Sequence, residues 1–263
     1  MLDVRTAATR MREILALESE PVAVFLLAPG DGRSTESFTG ISGHRFCQLL
    51  MRARRGESVL LAPDGLACPA AASAFGFRSL PEGLASGKGL VGFGIVAEAA
   101  TGRSMFEGMR RLEPGRISAV AASPLAVAQA APDVIVVEAP AEALMWLALA
   151  DLNIAGGARR LGDTAVLQAT CVDATVIPFL DGRLNFSLGC YGCREATDLG
   201  PGESVLGFPG SRLEPLLGAL EQLAAKAIGR SRSKAAWKNL VERTPGTQRA
   251  PVPIERTPWA DRV

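Results

Sequence analysis

Short apolar runs that alternate with helical patterns constrain the fold of this chain most. The runs Val22-Ala-Val-Phe-Leu-Leu27 and Asp133-Val-Ile-Val-Val-Glu138 have the length and composition of buried strands. Helical spacing precedes the first run, over residues 3–18, and follows the second, over residues 140–151. This alternation predicts an α/β fold, a mixed sheet with helices packed on it. The second run is continuous enough to predict a central strand covered on both faces.

The remaining elements are predicted from the same patterns. Further strands are expected at residues 58–62, 117–122, 166–170, 184–188 and 204–208, and further helices at 44–55, 172–180 and 213–228. We expect residues 1–229 to form a single compact α/β domain that holds all the cysteines. Residues 230–263 are expected to form a basic helix and an extended tail, because prolines accumulate there and periodicity is lost.

A C-x-x-C turn is the chemically most informative segment of the chain. Cys190 and Cys193 follow an apolar run that reads as a strand. Gly189 and Gly192 carry no Cβ, so backbone N–H groups can face the two sulfurs and favour the thiolate, the form that binds metal and attacks. Cys68 precedes Pro69, which suits the first position of a helix, and is therefore predicted at a helix N-cap.

The number and spacing of the cysteines favour metal binding or thiol chemistry over a disulfide framework. Five is an odd number, and no secretory signal is recognisable. A C-x-x-C occurs in thiol oxidoreductases, zinc sites and iron–sulfur sites alike. Zinc sites with four cysteines are usually built from two such pairs, whereas an iron–sulfur cluster accepts single cysteines from distant positions. The alternative for Cys47 and Cys171 is that they are small apolar core residues.

Several of these segments together resemble the proteins grouped as domain of unknown function 169. The resemblance covers most of residues 10–225. It rests on Pro21-Val-Ala-Val, Cys47 in its helix, Leu66-Ala-Cys-Pro-Ala-Ala-Ala with Phe75-Gly-Phe, the Asp133 strand, Cys171 and Ser187-Leu-Gly-Cys-Tyr-Gly-Cys-Arg194. The resemblance implies that Cys47, Cys68, Cys171 and Cys190 belong together, with Cys193 as an extra or alternative ligand. It implies no substrate.

Four further side chains are candidates for a role beside the cysteines. His44, the only histidine, lies three residues before Cys47, and a Cys–His pair activates a thiol. Tyr191, between the paired cysteines, is expected beside whatever binds there. Arg194 and Arg45 are candidates for holding an anionic group. The alternatives are that His44 covers a helix and that Arg45 is ordinary surface charge.

Three functions follow from these residues. The first is an iron–sulfur protein that holds one [4Fe-4S] cluster through four of the five cysteines. Three ligands leave one iron open for a substrate, whereas four favour electron transfer or sensing. The second is thiol–disulfide exchange, with Cys190 attacking and Cys193 resolving. The third is a non-enzymatic module that binds a small ligand, in which the cysteines are structural.

Other classes of function are disfavoured. From residue 226 onward nine Lys and Arg face three acidic residues, a charge of +6, but no zinc-finger or RNA-binding signature accompanies them, so nucleic acid is not expected as a partner. Gly87-Lys-Gly-Leu-Val-Gly92 matches G-x-G-x-x-G but follows no strand, so we interpret the match as accidental. The apolar runs are too short to span a membrane, and a cytoplasmic location is expected. The sequence identifies neither the redox partner nor the small-molecule substrate. It is compatible with a homo-oligomer but does not determine the oligomeric state.

Overall fold

A seven-stranded sheet forms the centre of the structure. The computed structural model describes residues 3–159 and 162–243. The strands, in chain order, are β1 (Val22–Leu27), β2 (Thr39–Ile41), β3 (Val59–Leu61), β4 (Ala119–Pro124), β5 (Val134–Pro140), β6 (Asn185–Ser187) and β7 (Glu203–Pro209). Their spatial order is β2-β3-β4-β1-β5-β7-β6. β2 and β3 pair in parallel, and the other described pairs are antiparallel. The predicted mixed sheet is therefore confirmed.

Two strands at the middle of the sheet are buried along nearly their whole length. Every residue of β1 is buried, and so is every residue of β5 except Pro140. β1 lies between β4 and β5, with Val22 opposite Pro124 on one side and Val136 on the other. Because the side chains of successive residues on a strand point to opposite faces, full burial requires that other elements pack on both faces of the sheet. The central position predicted for the second apolar run is confirmed.

Helices provide this packing. They are α1 (Val4–Leu15), α2 (Phe46–Arg54), α3 (Pro69–Ala74), α4 (Glu82–Ala85), α5 (Lys88–Gly92), α6 (Ala99–Glu107), α7 (Ala141–Ile154), α8 (Ile177–Asp181), α9 (Tyr191–Ala196), α10 (Leu213–Leu223), α11 (Gly229–Ser233) and α12 (Ala235–Arg243). α7 packs on β5, β7 and α10, and α1 packs on α10. Alternate residues of β1, Val22, Val24 and Leu26, share one apolar core with α2 and α3. Four of the cysteines belong to that core.

The chain divides after Leu223. Residues up to Leu223 form one unit, and a second unit begins at Ala224, where a π-helical turn precedes α11 and α12. The sequence placed this boundary at residue 229. The predicted extended tail, from residue 244 onward, lies outside the described residues. No helix in the described ranges has both the length and the apolarity that crossing a bilayer requires.

The predicted strand at residues 166–170 is wrong. Val166 and Gln168 adopt positive φ angles of 56° and 55°, which belong to the left-handed region and cannot continue a strand. A π-helical segment, Ala169–Val176, follows instead and leads into α8. Cys171 therefore lies within a π-helix rather than at a strand end. Such segments are rare and are found most often at functional sites.

Residues 79–104, for which the sequence predicted no element, form α4, α5 and the start of α6. Two of the three glycines of the G-x-G-x-x-G match, Gly87 and Gly89, serve the packing of these helices. A Cβ on Gly87, whose φ is 77°, would lie 2.0 Å from the carbonyl oxygen of Ala99, and one on Gly89 would lie 3.0 Å from that of Gly83. A helix, α4, precedes the motif where a dinucleotide fingerprint needs a strand. These glycines allow close backbone contact within the protein itself.

Candidate functional site

All five cysteines line one cavity. They come from four separate parts of the chain: Cys47 in the first turn of α2, Cys68 at the N-cap of α3, Cys171 in the π-helical segment, Cys190 at the N-cap of α9 and Cys193 within α9. The cavity has a volume of about 590 Å³. Cys68 is half-buried, and the other four are buried. The fold thus brings together the residues that sequence reasoning singled out.

Backbone pairing holds the first two cysteines side by side. His44 and Leu66 form an isolated parallel bridge, and the N–H of Ala67 donates to the carbonyl of His44 at 2.9 Å. This bridge joins the segment just before α2 to the segment just before α3. Because each cysteine begins its helix shortly after the bridge, Cys47 and Cys68 are presented to the same space. The predicted N-cap position of Cys68, with Pro69 at the first helical position, is confirmed.

The sulfurs make close contacts with one another and with neighbouring polar groups. Cys190 Sγ and Cys193 Sγ are 3.0 Å apart, well beyond the length of a disulfide bond, which is about 2.05 Å. Thr170 Oγ1 lies 3.6 Å from Cys193 Sγ. The thiol of Cys171 donates to the carbonyl of Gln168, also at 3.6 Å. These cysteines are free thiols, and the π-helical segment supplies polar neighbours to two of them.

Hydrogen bonding, burial and mutual proximity raise the pKa values of three of the thiols, those of Cys171, Cys190 and Cys193. The pKa of Cys171 is raised well above its usual value by burial and by the nearby Cys68 and Cys193 sulfurs. The pKa of Cys190 is raised by its hydrogen bond to Cys193 and by burial. For Cys193, the hydrogen bond from Cys190 lowers the pKa, but Cys47 and burial outweigh it and raise the pKa to about 12. A thiolate in this cavity therefore needs a cation beside it.

The arrangement of donors does not match the site of a single metal ion. Within residues 3–159 and 162–243, no group of three or more His, Cys, Asp or Glu side chains is arranged to hold one ion. Ligands of one ion must all lie within bonding distance of a common point, about 2.3 Å from each sulfur for zinc. The described cysteines line one cavity without forming such a group.

One ion pair lies beside the sulfurs at the cavity wall. Arg45 Nη1 donates to Glu195 Oε2 at 2.5 Å and to the carbonyl of Gly192 at 3.3 Å. The pKa of Arg45 is raised by Glu195 first and by Cys47 and Cys68 next, which places its charge close to both sulfurs. Tyr191 also lines the cavity, and 56% of it is exposed. Both residues were candidates from the sequence, and both lie at the site.

The other two candidates lie outside the cavity lining. Arg194 donates to the carbonyl oxygens of Leu188, Gly200 and Glu203 at 2.6–2.8 Å, and so holds the loop around the C-x-x-C segment. His44 lies before α2 rather than within it, and its Nδ1 is 2.7 Å from the carbonyl of Ser42. It therefore does not share a helix with Cys47.

Sequence reasoning missed a buried carboxyl next to the cysteines. Asp173, in the π-helical segment, accepts a hydrogen bond from Thr164 Oγ1 at 2.5 Å. Burial raises the pKa of Asp173 to about 7, although its hydrogen bonds with Thr164 and Ser187 oppose the shift. Asn185 Nδ2 donates to the backbone carbonyl of Asp173 at 2.8 Å and ties the segment to β6. The mainly apolar segment 172–180 concealed this residue, because a lone Asp in such a segment carries no periodic signal.

Comparisons with known proteins relate this chain to an uncharacterised family. The family model of domain of unknown function 169, described as "Uncharacterised ArCR", matches residues 10–219. The uncharacterized protein MJ0308 of Methanocaldococcus jannaschii is 30% identical over 222 residues, which cover 83% of this chain and 94% of that protein. No solved structure matches the chain. With the family model spanning the whole sheet and all five cysteines, the chain belongs to the family of domain of unknown function 169.

Proposed function

We propose that this protein binds an iron–sulfur cluster, a [4Fe-4S] cubane, in the cavity lined by its cysteines. The observation that carries the proposal is the convergence of five thiols from α2, α3, the π-helical segment and α9 on one space. A lone cysteine is usually a core residue, and five lone core residues have no reason to face the same cavity. Thiolates are the ligands that iron–sulfur clusters use.

The chemistry of the donors supports a cationic occupant. The raised pKa values of Cys171, Cys190 and Cys193 arise because buried thiols repel one another's charge and lack solvent. A metal core removes this penalty by pairing each thiolate with a cation, and metal binding then releases the thiol protons. Arg45 is the only cation among the described lining residues, and it is already paired with Glu195.

The short distance between Cys190 Sγ and Cys193 Sγ bears on which sulfurs would bind the proposed cluster. With 3.0 Å between them, Cys190 and Cys193 approach the cavity at nearly one position, and each iron of a cubane takes one thiolate. Cys47, Cys68, Cys171 and one member of the pair would then complete a set of four. The family resemblance favours Cys190 as that member, with Cys193 as its neighbour. Such a cluster supplies electron transfer when fully ligated, or a Lewis-acidic iron when one position is open.

The test is anaerobic purification followed by iron and sulfide analysis and a visible spectrum. We expect a brown protein with near-stoichiometric iron and sulfide and with absorption that dithionite bleaches. Single Cys→Ser variants at positions 47, 68, 171 and 190 should each lose most of the iron, whereas Cys193→Ser should keep it. Ala70→Ser is the control, because it adds the same hydroxyl to the cavity wall and removes no thiol. A colourless wild-type protein without iron would refute the proposal.

A thiol–disulfide exchange reaction is the second candidate, and the distance between Cys190 and Cys193 favours it. In that reaction the Cys190 thiolate attacks a substrate disulfide and releases one substrate thiolate. Cys193 then attacks the mixed disulfide and releases the second, so that two electrons reduce the substrate and a Cys190–Cys193 disulfide forms. The raised pKa values count against this route. With a pKa of about 12, only ~10⁻⁵ of Cys193 is thiolate at pH 7.

One experiment on the same protein preparations distinguishes cluster binding from thiol–disulfide exchange. Thiol–disulfide exchange predicts a colourless protein and a Cys193→Ser variant that accumulates mixed disulfides with a model disulfide such as oxidised glutathione. Cluster binding predicts that Cys193→Ser stays brown and forms no mixed disulfide while loaded. In either case the free thiols suit a reducing compartment, and we place the protein in the cytoplasm on that ground.

A further inference from the structure

The cavity has a second wall, which the cysteines do not form. Residues of α4, α5, α6 and the segments beside them supply it: Pro81, Gly83, Leu84, Gly89, Leu90, Phe93, Ile95 and Phe106. α4, α5 and α6 pack chiefly against one another. We call these three helices the cover. Leu90 and Phe106 join the cover to the main apolar core of the domain, in which both side chains are buried.

The lining beside the cover selects against charged ligands. Its side chains are aliphatic or aromatic, and Leu90 and Phe106 are buried while facing the cavity. Among the described lining residues, the charged side chains are Arg45 and Glu195, which neutralise each other at 2.5 Å. A phosphate or carboxylate would therefore enter an apolar space with no free cation to receive it, at a large cost in desolvation.

Two aromatic side chains stand at the cavity while largely exposed to solvent. Phe93, which follows α5, is 65% exposed, and Tyr191, which begins α9, is 56% exposed. Both line the cavity. A large aromatic side chain left in water at the edge of an apolar cavity is typical of a binding site, because a ligand that enters buries it.

We propose that this cavity binds a neutral, apolar organic molecule, which enters beside Phe93 and Tyr191 and lies between the cover and the cysteine sulfurs. The volume of about 590 Å³ is within the range of small-ligand pockets. The ligand's apolar body contacts Leu84, Leu90 and Phe106, and its inner end points toward the cysteine wall, where the proposed cluster would lie. Binding depends on the cavity wall and not on the cluster, so this proposal stands apart from the function proposed above.

Two fluorescent probes of almost the same shape test the charge selection. N-phenyl-1-naphthylamine is neutral, and 8-anilino-1-naphthalenesulfonate adds one sulfonate to the same ring system. We expect the full-length protein to bind the neutral probe with one-to-one stoichiometry and the sulfonate at least about tenfold more weakly. The titration is performed on the anaerobically purified protein and on the metal-free protein.

Two variants connect the binding to the cavity. Phe93→Ser should weaken binding of the neutral probe about tenfold, because one aromatic contact is lost. Phe186→Ser is the matched control, since Phe186 is 40% exposed and is not part of the lining. Glu195→Gln leaves Arg45 without its carboxylate partner and should strengthen binding of the sulfonate several-fold.

The outcomes are decisive. Equal affinity for the two probes, failure of the neutral probe to bind, or an equal loss in Phe93→Ser and Phe186→Ser would overturn the proposal. Binding of the neutral probe to metal-free protein supports it even if no iron is found, whereas loss of iron binding affects only the cluster. The two proposals can therefore fail separately.

Discussion

Replacing Glu138 by glutamine should make the protein more stable at pH 8 but not at pH 4. Glu138 lies on β5 and is almost completely buried. Its nearest cation is Arg54 at the end of α2, with Nη1 3.4 Å from Oε2. Arg54 also contacts Asp198 at 2.5 Å and Glu203 at 3.5 Å, so three carboxylates share one buried guanidinium. Burial is the largest cause that raises the pKa of Glu138 to about 7, and the neighbouring Glu203 and Asp198 add to it against Arg54.

The sign and size of the effect follow from linkage. Below about pH 4.5, the ordinary value for a Glu, the folded and unfolded states both carry a protonated Glu138. Between pH 4.5 and about 7 the unfolded state loses the proton and the folded state keeps it. The free energy of unfolding then falls by about 1.4 kcal/mol per pH unit, which amounts to about 3 kcal/mol once pH exceeds 7. Glutamine does not ionise and avoids this loss.

Urea unfolding between pH 4 and pH 8 measures the effect. We expect the stability of Glu138→Gln relative to the wild type to rise by about 3 kcal/mol across this range, with an unchanged m-value. Glu107→Gln is the control, because Glu107 is an exposed residue of α6 and should show no comparable trend. A relative stability that stays flat, or that falls with pH, would refute the reasoning and show that Arg54 keeps Glu138 ionised.

Three further substitutions test the packing around the site. Gly207→Ala should lower the free energy of unfolding by about 3 kcal/mol, as measured by urea unfolding. The added Cβ would lie 1.8 Å from the carbonyl oxygen of Ala174 and push the π-helical segment off β7. A loss of less than about 1 kcal/mol would contradict this. Gly87→Ala should displace α5 from α6 and weaken binding of N-phenyl-1-naphthylamine. Gly87 has a φ of 77°, and an added Cβ would lie 2.0 Å from the carbonyl oxygen of Ala99. Unchanged affinity for the probe would contradict this. Arg194→Lys should lower the free energy of unfolding by about 1 kcal/mol, since a lysine cannot reach all three carbonyls; equal denaturation midpoints would show that the loop does not need them.

Most of the sheet was predictable because its longer strands carry strong local signals, whereas β2, with three residues, carries none. Val22–Leu27 is a continuous apolar run, and Val134–Pro140 begins with four apolar residues and ends in proline. The spatial order of the strands was not predictable. It depends on which edges meet across long stretches of chain, as when β4 pairs with β1. No local pattern encodes that choice.

The five cysteines that line the cavity could be singled out from the sequence, but their surroundings could not. The cysteines were identified from their number and from the neighbouring proline and glycines, which are local features. The π-helical segment was missed because residues 166–170 have the composition of a strand, and only the positive φ angles of Val166 and Gln168 exclude one. The cover was missed because helices as short as α4 and α5 carry too few residues to show periodicity.

The two walls of the cavity, the cysteine wall and the cover, are attached by different kinds of contact. This difference suits the two ligands that we propose. Polar contacts join α2 to α9 directly: Arg45 to Glu195 at 2.5 Å, and Gln48 Nε2 to the carbonyl of Ala196 at 3.2 Å. These contacts, with Arg54 and Asp198 behind them, fix Cys47 relative to Cys190 and Cys193 before any metal arrives. A preformed ligand set lowers the entropy cost of binding a cluster. The cover is joined to the core by the apolar side chains of Leu90 and Phe106, and a polar contact from Arg111, just after α6, reaches Ser73 of α3. Substitutions between α2 and α9 should therefore act mainly on iron content, and substitutions within the cover mainly on affinity for the apolar probe.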